Sequence, residues 1–456
     1  MVFKKFTNGC VNLVNKYLPD AFLFAIVLTI IVFLAGMGIT QQTPMAMVKH
    51  WGTGFWSLLS FSMQMVLVLV LGTAMAKAPV FERLLTAIAM SAKTPGRAVV
   101  ITAVVATVAC WLNWGFGLII GVLIAKEMAK RVKGVDYRLL IATGYAGMIV
   151  WHGGISGSIP LQIASGSAES LAQQTAGALT AQVPTSETIF APFNLIICLL
   201  FLIFLPLVAH AMMPTKENTV TVDPRIFEEP PAPPAHKFTP AENFERNRVM
   251  WIITLALGYI YIVYNLVTTN FNLGLNIVNM IFLFVGLTLH GNLRRYIDAL
   301  MASASTAGGI ILQFPFYAGI MGMMTGVSAA TGTSLAQVIS NAFVSIATPV
   351  TFPLFTYLSA GIVNLFVPSG GGQWAVQGPI MMPAGVALGV KPAVTAMGIA
   401  WGDAWTNMIQ PFWALPALGI AGLSARDIMG YCVIVLIMGG IITSAVFLLF
   451  GGMGWF

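Results

Sequence analysis

The sequence predicts an all-α polytopic membrane protein made of inverted repeats, with about nine transmembrane helices, two re-entrant hairpins and two unwound helices. Three observations carry that expectation. Of 456 residues, 58% are hydrophobic and only 8% are charged, with a mean hydropathy of +0.87, too little charge to cover a water-soluble surface of this size. Long uncharged apolar runs recur along the whole chain, which makes the bilayer the solvent. Two glycine-rich interruptions then recur at one constant offset.

From the start of the chain, Met1 to Asp20 is short, basic and amphipathic, with no cleavable signal pattern. The first apolar run, Ala21 to Gly38, is long enough to span. Spans are expected near 21–40, 58–76, 138–165, 189–209, 249–267, 275–290, 304–325, 391–420 and 428–451. With the N-terminus inside, 20 of the 22 basic residues fall on inner loops, and only Lys49 and Lys391 fall outside. The positive-inside rule therefore places the N-terminus in the cytoplasm and the C-terminus in the periplasm of a bacterial inner membrane. The net charge of +7 is an orientation signal, and no nucleic-acid partner is expected. Residues 1–210 form the N-terminal repeat, 211–248 a proline-rich cytoplasmic linker, and 249–456 the C-terminal repeat. Cys10, Cys110, Cys198 and Cys432 are far apart and follow no metal or disulfide spacing; they read as small buried hydrophobes.

Two stretches do not read as simple spans. Ala98 to Ala125 carries no charge, yet both of its flanks are strongly basic. A segment with both ends inside is a re-entrant hairpin (98–125), with its tip at Asn113-Trp114-Gly115-Phe116-Gly117. Each arm of roughly 15 residues is too short to cross about 30 Å at 1.5 Å per residue. No charge occurs between Asp298 and Lys391, which leaves room for a second hairpin near 347–388. Its tip would be Pro368-Ser369-Gly370-Gly371-Gly372-Gln373. Backbone exposed at that depth must line a cavity or be buried in protein, and glycine-rich turns expose N–H groups that can hold an anion.

A shift of 255 residues superposes these features. Gly115 meets Gly370, Gly117 meets Gly372, Gly134 meets Gly389, and Gly147 meets Gly402; His152 falls on Asn407. The parity of spans makes the repeats inverted. Paired interruptions in two halves point to the binding site of a transporter.

A broken helix follows each hairpin. In 138–165 the glycines, serines and proline between His152 and Pro160 cannot hold a regular helix. In 391–420 the break lies near Asp403 to Pro411. Asp403 is the only carboxylate between Asp298 and Asp427. Inside a membrane it calls for a coupling cation, a proton or backbone as its partner; otherwise it lies near the membrane surface. His152 either binds substrate or a proton, or hydrogen-bonds neighbouring backbone as packing. Asn113, Ser156, Ser158, Ser369, Gln373, Thr406, Asn407 and Gln410 supply neutral oxygens and amides. Trp114, Phe116, Trp374, Trp405 and Trp413 either shape an apolar pocket or pack.

The segments Trp111-Leu112-Asn113-Trp114-Gly115-Phe116-Gly117, His152 to Pro160 and Pro368 to Trp374 resemble the short-chain fatty acid transporter family, part of the ion transporter superfamily. The resemblance covers nearly the whole chain. It implies a homodimer with a scaffold domain and a moving transport domain, cation-coupled, working as an elevator, with no cofactor and sodium or a proton as coupling ion. Carried onto this sequence, it implies substrate contacts at Asn113, Trp114, Gly115, His152, Gly153, Ser156, Ser158, Ser369, Gly370, Gly371, Gln373, Thr406 and Asn407. It also implies a cation, sodium among the candidates, near Asp403, Asn113, Gly117, Gly372 and Asn407. The superfamily's dicarboxylate branch carries Ser-Asn-Thr at its tips, whereas this chain has Asn113-Trp114-Gly115 and Ser369-Gly370-Gly371. Fewer hydroxyls and more indole suit a small, partly apolar monocarboxylate such as butyrate or acetoacetate. The alternative cargo is another small organic anion, a dicarboxylate or an amino-acid-like one. A channel would want rings of charge or carbonyls from several subunits. An enzyme would want a triad, metal or nucleotide motif, and none is visible.

Overall fold

The computed structural model describes residues 2–17, 21–222, 239–269, 271, 275–368 and 370–456, and every regular element among them is a helix. The elements that matter below are α1 (Ala21–Ile39), α2 (Leu59–Ala76), α3 (Pro95–Leu112), α4 (Trp114–Arg131), α5 (Tyr137–Ala146), α6 (Ser158–Ser165), α7 (Pro192–Ala211), α8 (Arg248–Thr268), α9 (Leu275–His290), α10 (Gly308–Thr325), α11 (Phe352–Asn364), α12 (Gly370–Ala387), α13 (Pro392–Thr406), α14 (Pro411–Ala421) and α15 (Ala425–Gly452). A helix leaves its first four N–H groups without partners, and a bilayer core offers no water to satisfy them. Proline opens α3, α7, α13 and α14, removing one such donor and presetting φ. Side chains cap others: Thr94 accepts from Arg97 N, Asp136 from Leu139 N, and Asn247 from Val249 N. At the other end, Lys126 Nζ and Tyr137 Oη each donate over 2.8 Å to the last carbonyls of α14, at Ile420 and Ala421.

Six helical stretches among the described residues are long and apolar enough to cross a membrane: Phe22–Ile39, Pro95–Leu112, Tyr137–Ser165, Pro192–Ala211, Pro240–Thr268 and Ala425–Gly452. Their outward faces are apolar. On α8, Ile252, Ile253, Leu257, Ile260, Val263 and Val267 are all exposed, as a lipid-facing helix requires. The spans expected at 58–76, 275–290 and 304–325 are shorter apolar helices, and 391–420 is divided between α13 and α14. The arm expected to be too short to cross, α3, has 18 residues and reaches crossing length. The reason is that only Asn113, in extended conformation (φ −154°), interrupts the helices; Trp114 to Gly117 already belong to α4. The second tip is tighter than expected as well, because Gly370 to Gly372 form the first turn of α12.

Close glycine crossings hold the centre together. α3 and α4 run antiparallel after the break, so near that a Cβ on Gly117 would lie 2.2 Å from Cys110 N. Gly121 and Gly144 face each other's carbonyls, each at 2.3 Å from a would-be Cβ. Gly147 backs onto Ala106, and Gly402 onto Tyr357, Ala360 and Gly361. The offset of 255 that relates Gly147 to Gly402 also relates Ala106 to Gly361. It relates Gly134 to Gly389 too, and both adopt left-handed φ, +74° and +76°, just before α5 and α13 begin.

A separate wall is formed by α2 and α9. Gln64 Nε2 donates to Asn276 Oδ1 (2.7 Å), Asn279 Nδ2 to the Gln64 carbonyl (3.0 Å), and His290 Nε2 to the Ala74 carbonyl (2.9 Å). Part of the linker is docked rather than free. Val220 N donates to Asp136 Oδ2 and its carbonyl accepts from Tyr137 N, both near 2.8–2.9 Å. Residues 223–238 of the expected linker lie outside the described residues.

The crossing at Gly402 has no room for a methyl group: its Cβ would lie 2.4 Å from the Tyr357 carbonyl, whereas Gly371 has nothing within 4 Å. Gly402→Ala is expected to lower stability by about 1–3 kcal/mol and Gly371→Ala to leave it near wild type. Thermal unfolding of both variants in detergent checks this.

Candidate substrate and coupling site

The two broken helices meet at the centre of the molecule. α5 ends at Ala146, tightens into a 3-10 segment over Gly147–Gly153, and resumes as α6 at Ser158. The true gap is therefore 154–157, and Pro160 stands in the first turn of α6 rather than in the break, where its missing N–H does no harm. In the other half the helix runs on through Asp403 to Thr406, and only 407–410 is open before Pro411. Asp403 thus sits in the last turn of α13, not in unwound chain.

His152 Nε2 lies 2.8 Å from Asp403 Oδ2, with both side chains fully buried at 0% exposure. The carboxylate is therefore shielded by protein on every side. The burial also means that a group costly to bury unpaired has found a partner 251 residues away. Asn407 Nδ2 approaches the same Asp403 oxygen at 3.4 Å. Among the described residues Asp403 Oδ1 and His152 Nδ1 are buried without a partner.

Asn364 of α11 binds the second break together. Its Nδ2 donates to the Asp403 carbonyl (2.9 Å), to Thr406 Oγ1 (3.0 Å) and to Asn407 Oδ1 (2.8 Å). Tyr145 Oη donates to the Asn407 carbonyl across the two halves. Asn194 of α7 links the first break to α13: its Nδ2 donates to the Gly153 carbonyl (2.9 Å) and its Oδ1 accepts from Trp401 Nε1 (3.0 Å). None of Asn364, Tyr145 and Asn194 was among the expected site residues. A lone amide in an apolar run, as at Asn194 and Asn364, was the signal available.

Both tips touch this centre. A Cβ on Gly370 would lie 2.6 Å from His152 Cε1 and 3.2 Å from Ser158 Cβ, so the N-terminus of α12 rests on the first break. At the other tip, Trp114 N donates to Ser156 Oγ (2.9 Å) and Phe116 N to Asn113 Oδ1 (2.9 Å). Trp151 stacks on His152 with centroids 4.2 Å apart, and Trp114 and Trp413 pack on Trp151 at 5.1 and 4.8 Å. These indoles give the His152 ring an apolar surrounding, in which electrostatic interactions are stronger than in water.

The expected residues divide accordingly. His152, Ser158, Gly370, Asp403, Thr406 and Asn407 converge, and Asn113, Trp114 and Ser156 form a neighbouring group. Trp114 leads into Gly115 inside α4. Other residues are turned away. Gly117 packs on Cys110, and Gly371 faces open space. Gly153 is backed by Trp401, Cys198 and Asn194. Gln373 bonds the Ala360 carbonyl and Gln377 (3.0 and 2.6 Å), and Gln410 caps α14. Gly372 lies in the first turn of α12, and Ser369 lies outside the described residues. Among the described residues no three His, Cys, Asp or Glu side chains cluster as a metal set; Asp403 Oδ1, Asn364 Oδ1 and Gln373 Oε1 are among the buried oxygens without a partner there, and oxygens of this kind suit a hard cation.

The profile of the family described as short chain fatty acid transporter matches residues 2–450. The chain belongs to the short-chain fatty acid transporter family. Two relatives provisionally named short-chain fatty acid transporters are similar over nearly their whole length. The one from Haemophilus influenzae is 43% identical over 430 residues, covering 93% of this chain and 94% of the relative. The one from Escherichia coli K12 is 41% identical over 437 residues, covering 94% and 96%. The crystal structure of the Alcanivorax borkumensis YdaH transporter aligns over 96% of this chain and 99% of that one, with 15% identity and a TM-score of 0.46. The family is one of transporters, not enzymes.

The three bonds from Asn364 Nδ2 all end on the second break. Asn364→Ala is expected to cost about 1–3 kcal/mol of stability. Asn364→Gln, which moves the amide by one methylene, should recover only part of it. Melting of the purified protein reads both.

Proposed function

We propose that this chain is a secondary active transporter carrying short-chain monocarboxylates such as butyrate or acetoacetate across the bacterial inner membrane, coupled to sodium or a proton. The observation that carries the reading is the buried His152–Asp403 pair between two interrupted helices, with the N-terminus of α12 set against it. An intramembrane ionisable pair at paired helix breaks is where a transporter binds and couples. The substrate carboxylate sits among backbone N–H groups at the two tips, and its alkyl part lies on the aromatic side chains beside them. The cation enters at Asp403. A proton would use the open Asp403 Oδ1, and sodium would add the Asn364 oxygen.

The architecture in this reading is two inverted repeats, 1–210 and 249–456, each with a re-entrant hairpin and a broken helix. There are nine crossings in all, with the N-terminus cytoplasmic. The recurrence of left-handed glycines, helix starts and close crossings at one offset supports the repeat. Transport proceeds by elevator movement of the tips and broken helices against the α2–α9 wall, in a homodimer.

Radiolabelled butyrate uptake into proteoliposomes, under an imposed sodium gradient or an imposed proton gradient, tests this. Uptake driven by one gradient names the ion. Asp403→Asn keeps an oxygen able to accept from His152 while removing the charge, so it is expected to fold and to lose gradient-driven uptake at least tenfold. Full gradient-driven uptake in Asp403→Asn would remove Asp403 from coupling. No uptake under either gradient, in folded protein, would sink the butyrate reading.

A further inference from the structure

Beside the α3–α4 tip lies a cavity of about 250 Å³. Its walls are Met75 of α2, Val278, Ile281, Phe282 and Val285 of α9, Asn113 at the tip and Phe116 of α4. Met75, Val278 and Phe282 are buried, and the rings of Phe116 and Phe282 face each other with centroids 6.0 Å apart. Asn113 is the one polar side chain among the lining residues. Its Oδ1 is taken by the Phe116 N–H, while its Nδ2 has no protein partner among the described residues and is left to donate.

An apolar pocket with one amide donor at its rim suits a molecule with an apolar tail and one small acceptor head. Resting on the carboxylate-transport reading above, we propose that this cavity takes the alkyl tail of the substrate and sets its length limit, with Asn113 Nδ2 donating to the carboxylate. An apolar cavity of about 150 Å³ holds a six-carbon benzene ring, so this one of about 250 Å³ accommodates a tail of about ten carbons at most. A longer tail meets Val278 and Phe282, which belong to a wall tied by the Gln64, Asn276 and Asn279 hydrogen bonds. Length selection therefore resides in α9, and head-group binding at Asn113 of the α3–α4 tip.

The test is competition by unbranched carboxylates with tails of about one to twelve carbons against labelled butyrate uptake in proteoliposomes. Potency should rise about fourfold per methylene up to a tail of about ten carbons and then fall. Phe282→Ala deepens the cavity and should move the optimum to longer chains; Val278→Phe fills it and should move the optimum to shorter ones. In a Cys10→Ser background, butyrate should slow alkylation of the thiol in Val278→Cys, a small change that decides the matter even where a larger variant fails to fold. An unchanged chain-length ranking in folded variants, or butyrate leaving that alkylation rate unaltered, overturns the proposal. Wild-type protein that takes up no carboxylate at all would instead overturn the transport reading beneath it.

Discussion

The hydrogen bond between His152 and Asp403 is the constraint around which the rest of the molecule is arranged. A carboxylate at the centre of an apolar helix bundle is costly unless an opposite or hydrogen-bonding group meets it. Here the partner comes from the other half of the chain, so the two broken helices must approach within hydrogen-bond distance. That approach requires Gly147 and Gly402 to pass their neighbours with no side chain between. It also requires the helices to stop near the meeting point, because a regular helix would keep its carbonyls and amides to itself. The 3-10 segment Gly147–Gly153 and the short gap after Thr406 are the local consequences.

Interrupting a helix at that depth frees backbone groups that no water will satisfy. The surrounding polar side chains answer that demand. Asn364 serves the second break, Asn194 the first, and Ser156 and Asn113 the tip of the α3–α4 pair. The same physics that makes the site expensive makes it well ordered: Asn364 and Asn194 are each held by several bonds in a low-dielectric core. Among the described residues Asp403 Oδ1, His152 Nδ1, Asn364 Oδ1 and Gln373 Oε1 stay buried at this centre without a partner. Apolar exposed faces such as that of α8 complete the picture from outside, since lipid replaces water as the surrounding medium.

Much of this was legible in the linear chain. Low charge and uncharged runs announced helices in a bilayer, and the glycine interruptions marked both tips and both broken helices to within a few residues. The lone Asp403 and the His152 in its glycine-rich setting stood out as ionisable groups at membrane depth. The lengths of the breaks were not legible. One extended residue suffices at Asn113 because its own side chain caps the next helix, and glycines that read as loop at Gly370 to Gly372 are helix when the backbone beyond them is packed. Asn364, Asn194 and Tyr145 went unnoticed because a neutral amide or phenol in an apolar run is informative only once its partners are known. The docking of Val220 on the start of α5 was equally hidden, since its bonds are made by backbone.

By itself, then, the sequence determined the class of fold, the two places in each half where helices give way, and the ionisable residues at stake. These follow from composition and local conformational preference, which act over a few residues. Tertiary structure alone decided that His152 and Asp403 are partners, that Gly370 rests on His152, and that an apolar cavity opens beside Asn113. Those facts depend on contacts between segments hundreds of residues apart, and only the packing of the helices against one another brings such segments together.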